Sequence, residues 1–152
     1  MVAVLQRVQK ATVIADGVHS GTIGQGLYIL LGVEVADLEE DALLLAEKIS
    51  KLRIFCDDVG KMNLSVNDID GECLVVSNFT LNANYAHGNR PDYLKAATPD
   101  IANRLYEYFK SELAKRVRFV ASGVFGADMT SELTTDGPVT IVMHSEKLRR
   151  KK

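Results

Sequence analysis

The chain has 152 residues, which fits one domain with a hydrophobic core and leaves little room for a second. Apolar residues make up 47% and charged residues 25%, close to the average of globular domains, and this composition excludes a disordered chain. The net charge of −2 excludes a polycation. No apolar run approaches the roughly 20 residues that are needed to span a bilayer.

The first part of the chain predicts strands. Residues 2–9 and 11–15 are rich in β-formers, and Asp16-Gly17 is a tight-turn dipeptide that returns the chain into a strand over 18–23. Residues 27–33 form a short continuous apolar run. Such a run predicts a strand that is buried on both faces.

Two helices are predicted next. Asp37 can cap the first, and Glu40 three residues later completes a capping-box pattern. Apolar residues recur at helical spacing from Leu38 to Leu52, which predicts one face packed on a sheet. The second helix starts at Thr98-Pro99-Asp100, which supplies a hydroxyl cap, a proline at the first helical position and an acid in the first turn. Its inner face is predicted to contain Ile101, Leu105, Tyr108, Phe109 and Leu113.

The remaining segments complete one α/β domain with two main helices. Residues 72–76 predict a central strand, and 82–97 are irregular, which is typical of a functional or bracing loop. Three closing strands are predicted over 117–121, 128–134 and 139–143, and Asp136-Gly137-Pro138 separates the last two.

The domain is predicted to cover residues 1–146, and 147–152 form a tail with five basic residues. The tail has two interpretations, a contact with a phosphate backbone or a solvated, frayed terminus. Gln6 and Arg7 come too early for a signal peptide. Cys56 and Cys73 lack metal-type spacing and are interpreted as reduced packing residues, which favours a cytoplasmic location.

The chemistry of the usual hydrolase motifs is missing from the sequence. His19, His87 and His144 lie far apart and outside any metal-ligand motif, so no metal and no cofactor are expected. No nucleophile-elbow pattern supports a serine–histidine–acid triad. Gly24-Gln25-Gly26 joins two strands and indicates a turn. An enzyme with this sequence would depend on backbone groups and on groups of its substrate.

Two segments are candidates for such a site. Ser77-Asn78-Phe79-Thr80-Leu81 ends a buried strand, where backbone N–H groups can be left free to hold a developing oxyanion. Thr80 is an alternative nucleophile without an obvious base, and a polar strand end is the structural alternative. In Asp136-Gly137-Pro138-Val139-Thr140, a cis Gly–Pro bond would direct two adjacent carbonyl oxygens the same way. An ordinary hairpin turn is the alternative there.

Together these segments resemble the D-aminoacyl-tRNA deacylase family, collinearly from residue 1 to about residue 143. The matching motifs are Leu5-Gln6-Arg7-Val8, Gly26-Leu27, Leu31-Gly32-Val33, Lys51-Leu52-Arg53-Ile54-Phe55, Gly60-Lys61-Met62-Asn63-Leu64-Ser65-Val66, Ser77 to Leu81, Gly88-Asn89-Arg90-Pro91, Phe125-Gly126-Ala127-Asp128-Met129 and Asp136 to Thr140. Two positions depart from the usual pattern. Asn78 stands where glutamine is common, and Thr135 stands where asparagine is common.

The resemblance implies a barrel-like core of β-sheets with the two helices packed outside. It implies a metal-free homodimer that hydrolyses D-aminoacyl-tRNA, and glycyl-tRNA mischarged on tRNA(Ala). Gly137 and Pro138 of one subunit would enter the pocket of the other and exclude L-aminoacyl groups. Ser77, Phe79 and Thr80 would be catalytic, with backbone N–H groups at the last two, and Asn78 and Met129 would contact the substrate.

The implied partner is the aminoacylated 3′ end of tRNA, and no binding to a membrane or to DNA is expected. Three alternatives stay open. One is a tRNA-binding relative without catalysis, which Asn78 and Thr135 motivate. Another is a hydrolase of L-aminoacyl-tRNA, which a trans Gly–Pro bond would favour. The third is a metal-dependent hydrolase.

Overall fold

Two α-helices and eight β-strands make up residues 1–149, the part of the chain that the computed structural model describes. The helices are α1 (Glu39–Lys51) and α2 (Pro99–Ala114), and short 3-10 helices cover Phe79–Asn82 and Ser145–Lys147. The strands are β1 (Val2–Ala15), β2 (Val18–Ile23), β3 (Gly26–Gly32), β4 (Phe55–Cys56), β5 (Met62–Leu64), β6 (Glu72–Ser77), β7 (Val120–Ser122) and β8 (Met129–His144).

Strand β1 organises the main sheet. Its first half pairs antiparallel with β3, and its second half pairs antiparallel with β2 through the Asp16-Gly17 turn, where both residues have positive φ. Strand β6 joins β3 in parallel, β7 joins β6, and β8 runs antiparallel along β1. The Ser20 hydroxyl of β2 donates to the Ser122 carbonyl of β7 at 2.7 Å, so the sheet nearly closes into a barrel. The predicted fold class is confirmed.

Strand β3 is buried on both faces, as its apolar run predicted. Leu27, Ile29 and Leu31 belong to the larger core cluster, which also contains the inner faces of α1 and α2. Tyr28 belongs to the smaller cluster on the opposite face, with residues of β1, β2 and β6. The sheet therefore has one face covered by the helices and the other closed on itself.

The prediction that Asp37 caps α1 is wrong. Leu38 is the N-cap residue, and its N–H donates to the Asp41 carboxylate at 2.9 Å. The Asp37 carboxylate instead accepts the N–H of Glu34 at 2.6 Å and pairs with the ammonium group of Met1. Because Met1 and Glu34 occupy the Asp37 carboxylate, this residue does not cap the helix.

Helix α2 starts where it was predicted, with Thr98 at the N-cap and Pro99 in the first turn, although the Thr98 hydroxyl makes no capping bond. Its inner face contains Leu105, Phe109 and Leu113 as predicted, but two positions differ. Ile101 is 40% exposed, whereas Tyr106 is 1% exposed and packs in the core. Helical spacing alone does not decide which positions of a broad apolar stripe are buried.

The prediction of two separate strands around Asp136-Gly137-Pro138 is wrong, since β8 is one strand of 16 residues. Its pairing with β1 is nevertheless interrupted. Gln6 lies opposite Thr140 and Val8 lies opposite Thr135, so residues 136–139 bulge out of the ladder facing a single residue. The bulge removes the proline from the positions that need an N–H donor.

The other predicted strands are observed with different bounds. The segments predicted over 2–9 and 11–15 form the single strand β1, and the strand predicted over 117–121 is observed as β7, Val120–Ser122. The predicted tail begins within the 3-10 helix Ser145–Lys147, and residues 150–152 lie outside the described part. Arg149 donates to the buried Asp41 carboxylate at 2.6 Å. None of the helices in residues 1–149 is long and apolar enough to cross a membrane.

Candidate active site

A cavity of about 380 Å³ opens at the end of the β3–β6 pair, a size that suits a small organic group. Its walls are mostly apolar, with polar groups at one side. The lining residues are Leu31, Val33, Ser77, Asn78, Phe79, Pro99, Ala102, Tyr106, Phe125, Gly126, Ala127 and Met129.

Parallel pairing explains why the polar side lies at this edge. Because β3 and β6 run in the same direction, their carboxyl ends meet, with Leu31 opposite Ser77. The next residue, Asn78, donates its N–H to the Leu31 carbonyl at 2.8 Å. A side chain at Gly32 would meet the Asn78 carbonyl at 3.2 Å, so glycine permits this close approach. The chain then turns away into the 3-10 helix.

The Asn78 side chain caps that helix. Its Oδ1 accepts the Thr80 N–H at 3.2 Å and also the Thr80 hydroxyl. The Phe79 N–H, by contrast, has no hydrogen-bond acceptor within residues 1–149. Of the two backbone donors that the family resemblance implied, the Phe79 N–H is therefore free and the Thr80 N–H is bonded to Asn78.

Phe79 lines one side of the cavity, and Tyr93 packs against it from outside. The Phe79 ring is 59% exposed and packs edge-on against Tyr93, with 5.0 Å between ring centroids. The loop that carries Tyr93 is thus joined to the strand end through an aromatic contact.

Tyr106 of α2 forms the opposite wall, and the sequence pattern did not indicate it. Its hydroxyl donates to the Val75 carbonyl at 3.1 Å, and its ring lies 5.9 Å from that of Phe125. Burial raises the pKa of Tyr106, so its phenol stays protonated near neutral pH. The side chain contributes an apolar surface and a hydrogen bond within the protein.

The third wall is the turn after β7. Gly123 leaves room for the Met129 sulfur, which a side chain at this position would overlap. Gly126 turns the chain with φ +78°, and Phe125 and Met129 both face the cavity. The prediction that Met129 belongs to the site agrees with this position, although its contact with substrate stays a prediction.

The site residues that were predicted from the sequence lie in two separate groups. Ser77, Asn78, Phe79 and Met129 line one cavity, and Thr80 follows directly behind them. Gly137 and Pro138 do not line it; they are exposed on the β8 bulge, and the peptide bond between them is cis. Within one subunit the two groups are separate.

Arg7 holds the bulge in place, a role that its sequence context did not indicate. This side chain is buried, and its Nε lies 3.2 Å from the Asp136 carbonyl and 3.1 Å from the Asp136 carboxylate. Its Nη1 donates to the Ile54 carbonyl at 2.8 Å. One guanidinium therefore joins β8 to the segment before β4. Within residues 1–149 no group of three or more His, Cys, Asp or Glu side chains is placed to hold a metal ion.

Proteins of known sequence match this chain over nearly its whole length. Residues 4–144 match the family described as D-Tyr-tRNA(Tyr) deacylase. A D-aminoacyl-tRNA deacylase of Akkermansia muciniphila is 54% identical over 145 residues, which cover 95% of this chain and 97% of the relative. Another, from Caldicellulosiruptor saccharolyticus, is 51% identical over 148 residues, which cover 97% and 99%.

Solved structures share the fold. The c-Myc DNA Unwinding Element Binding Protein superposes with a TM-score of 0.89 at 38% identity and covers 95% of this chain and 98% of its own. A probable eukaryotic D-amino acid tRNA deacylase superposes with a TM-score of 0.81 over 93% and 97% of the two chains. At 15% identity, this second likeness shows the fold alone.

The chain therefore belongs to the D-Tyr-tRNA(Tyr) deacylase family, a class of tRNA-editing hydrolases. Within that class it is a D-aminoacyl-tRNA deacylase, which separates a D-amino acid from the tRNA that carries it. The family that the sequence motifs indicated is confirmed, and so is the prediction that the protein is an enzyme.

Proposed function

We propose that the cavity binds the aminoacylated 3′ end of tRNA and that water hydrolyses the ester there without a metal ion or a covalent intermediate. The oxygen of water bonds to the ester carbonyl carbon, the bond between that carbon and the ribose oxygen breaks, and a proton of the water passes to the ribose oxygen. The neighbouring ribose hydroxyl assists that proton transfer. The products are free tRNA and free amino acid, and the reaction takes place in the cytoplasm, where tRNA is charged and used.

The free Phe79 N–H at the rim of the cavity carries this proposal. A fixed backbone donor can stabilise the oxyanion that forms during attack on the carbonyl. The Thr80 N–H becomes a second donor when the substrate oxyanion displaces Asn78 Oδ1 from it. Ser77 completes the polar side of the pocket, and Met129 and Asn78 contact the substrate.

A second copy of the chain would supply the selection against L-amino acids. Gly137 and Pro138 are exposed and lie outside the cavity of their own subunit, which supports a role at a partner's cavity. Within the described residues β8 pairs only with β1, and an unpaired edge of this length favours association. In the dimer, the Gly137 and Pro138 carbonyl oxygens would crowd an L-side chain and leave a D-side chain free.

Glycine has no side chain to exclude. The same filter would therefore admit glycyl-tRNA, including glycine mischarged on tRNA(Ala). Selection by exclusion predicts similar handling of many D-amino acids, because the filter senses the direction of the side chain and makes no contact specific to its chemistry.

The test is deacylation of D-tyrosyl-tRNA, L-tyrosyl-tRNA and glycyl-tRNA(Ala) by the purified protein, with and without a chelator. We expect rapid loss of the D-tyrosyl and glycyl esters, persistence of the L-ester and no effect of the chelator. Loss of activity with the chelator would overturn the metal-free mechanism. Binding of tRNA without turnover would indicate a relative that has lost catalysis.

Oligomeric state is measured separately, by light scattering coupled to size exclusion. A dimer is expected. An active monomer would overturn the transfer of Gly137 and Pro138 to a partner's cavity, because these residues do not reach the cavity of their own subunit.

A further inference from the structure

A loop braced by hydrogen bonds at its base lies near the cavity and plays no part in the chemistry above. We call residues 84–92 the 84–92 loop. Two hydrogen bonds between the backbones of Asn84 and Asp92, at 2.8 and 2.9 Å, close its base. The Asn84 side-chain amide also donates to the Asp92 carboxylate at 2.9 Å. The other carboxylate oxygen of Asp92 accepts the Leu94 N–H at 3.2 Å. The only acidic group of the loop is thus used in holding its base.

The tip of the loop presents an aromatic ring and a positive charge to solvent. Tyr85 is 80% exposed, and residues 86–91 are exposed as well. Arg90, and Lys95 just after the loop, form no ion pair or side-chain hydrogen bond with residues 1–149. An aromatic side chain this exposed contributes little to the core, and its ring is available for contact with a ligand.

The loop adjoins the rim of the cavity at two points. Tyr93 follows the loop directly and packs on Phe79, which lines the cavity. Asn82 precedes the loop, and its side-chain amide donates to the Val33 carbonyl at 2.9 Å, also at the cavity. A nucleic acid strand whose last residue occupies the cavity can therefore leave it alongside this loop.

We propose that the 84–92 loop binds the single-stranded 3′ end of the tRNA, the nucleotides that precede the terminal aminoacylated residue. Tyr85 stacks on a base of that segment, and Arg90 and Lys95 contact its phosphates. Stacking on an aromatic ring together with cations along the backbone is how proteins hold single-stranded nucleic acid without reading its sequence. The surface is local, since the whole chain carries a net charge of −2. This inference rests on the proposed function, which places the terminal residue in the cavity.

The experiment measures binding of deacylated tRNA by fluorescence anisotropy, with the intact molecule and with the same tRNA lacking its single-stranded 3′ nucleotides. We expect the wild type to prefer the intact tRNA. Tyr85→Ala should weaken its binding by about tenfold, and Tyr85→Phe, which keeps the ring, should not. Arg90→Gln should reduce the magnitude of the slope of log affinity against log salt by about 0.7 for one lost phosphate contact. Lys48→Gln, an exposed cation on α1, is the matched control and should change neither quantity.

Equal affinity of the wild type and Tyr85→Ala for the intact tRNA would overturn the proposal. An equal loss of affinity for the intact and the truncated tRNA in Tyr85→Ala would also overturn it, because that result would place the loop on the duplex stem. Duplex DNA that competes as strongly as the intact tRNA would overturn it as well. Turnover is measured in parallel on D-tyrosyl-tRNA and on D-tyrosyl-adenosine. If neither is hydrolysed while tRNA binding depends on Tyr85, the proposed catalysis fails and the loop assignment stands. If both are hydrolysed and Tyr85→Ala binds tRNA as tightly as the wild type, the proposed catalysis stands and the loop assignment fails.

Discussion

Arg7 and Asp136 are joined through both the backbone and the side chain of the aspartate: the Arg7 Nε lies 3.2 Å from the Asp136 carbonyl oxygen and 3.1 Å from its carboxylate. The arginine is buried and the aspartate half-buried, at the start of the bulge that carries Gly137 and Pro138. The carbonyl contact fixes the backbone, so the position of the bulge depends on one side chain of β1.

Arg7→Lys is expected to loosen the bulge, because an ammonium group does not reproduce the planar set of donors that reaches Asp136 and Ile54. The loss of charge-assisted hydrogen bonds should lower the free energy of unfolding by about 2 kcal/mol. The ratio of D-tyrosyl-tRNA to L-tyrosyl-tRNA deacylation should fall more than the rate on the D-ester. Asp136→Asn keeps the backbone contact and is expected to have the smaller effect. An unchanged ratio in a folded Arg7→Lys protein would contradict the positioning role.

Thr80→Ala is expected to keep substantial activity, because its backbone N–H survives and the hydroxyl only adds a bond to Asn78. The rate should fall by clearly less than the roughly 100-fold or more that follows removal of an oxyanion donor. Single-turnover deacylation of D-tyrosyl-tRNA measures this. Complete inactivity with an unchanged circular dichroism spectrum would restore Thr80 as the nucleophile.

Gly26→Ala is expected to disrupt the pairing of β3 with β6, because a side chain there would overlap the backbone of Glu72. Overpacking of a buried site typically costs about 1–3 kcal/mol, and a backbone obstacle puts this variant at or above the upper end. Gly24→Ala is the matched control, since no atom lies within 4 Å of the added carbon. Urea titrations of both variants measure the difference. Equal midpoints would show that the two strands can separate without loss of the fold.

Arg149→Gln is expected to make the free energy of unfolding depend less on pH in the acid range. Burial alone would raise the pKa of Asp41, but hydrogen bonds from Arg149, Leu38 and Ser145 outweigh it, and the pKa is lowered. A carboxylate with a lowered pKa in the folded state stabilises the protein above its unfolded pKa of about 3.9, and this contribution is lost as the pH falls through the folded value.

Wild type and Arg149→Gln should therefore differ in the free energy of unfolding at pH 7, and the difference should shrink as the pH falls below the unfolded value and through the lowered folded value. Urea unfolding at pH 7 and over a series of acidic pH values measures it. A difference that is constant with pH would show that Arg149 acts through packing and not through the charge of Asp41.

Local patterns predicted much of this fold because they depend on neighbours in sequence. The Asp16-Gly17 turn, the doubly buried run at β3 and the Thr98-Pro99 helix start all follow from side-chain shape, φ preference and periodicity within a few residues. The strand end at Ser77 to Phe79 could also be nominated, since a polar run after a buried strand marks the edge of a sheet.

The errors arise where a distant group determines the outcome. The Asp37 carboxylate pairs with the ammonium group of Met1, 36 residues away in sequence, and does not cap α1. Tyr106 is buried in the core and Ile101 is exposed, a choice that helical spacing alone does not decide. The strand break expected at Pro138 is absent, because the bulge opposite Arg7 takes the proline out of the ladder. No property of the isolated segments contains this information.

Strand β8 begins at Met129, in the cavity wall, and continues through Gly137 and Pro138 to His144. A shift of its register against β1 by one residue would turn every side chain of the strand to the opposite face. Such a slip would remove the Met129 sulfur from the space beside Gly123 and displace the exposed bulge in the same event. Met129, in the cavity of its own subunit, and the bulge that we assign to a partner's cavity thus depend on the register of the same strand. A change in the length of β8 that shifts this register would alter both.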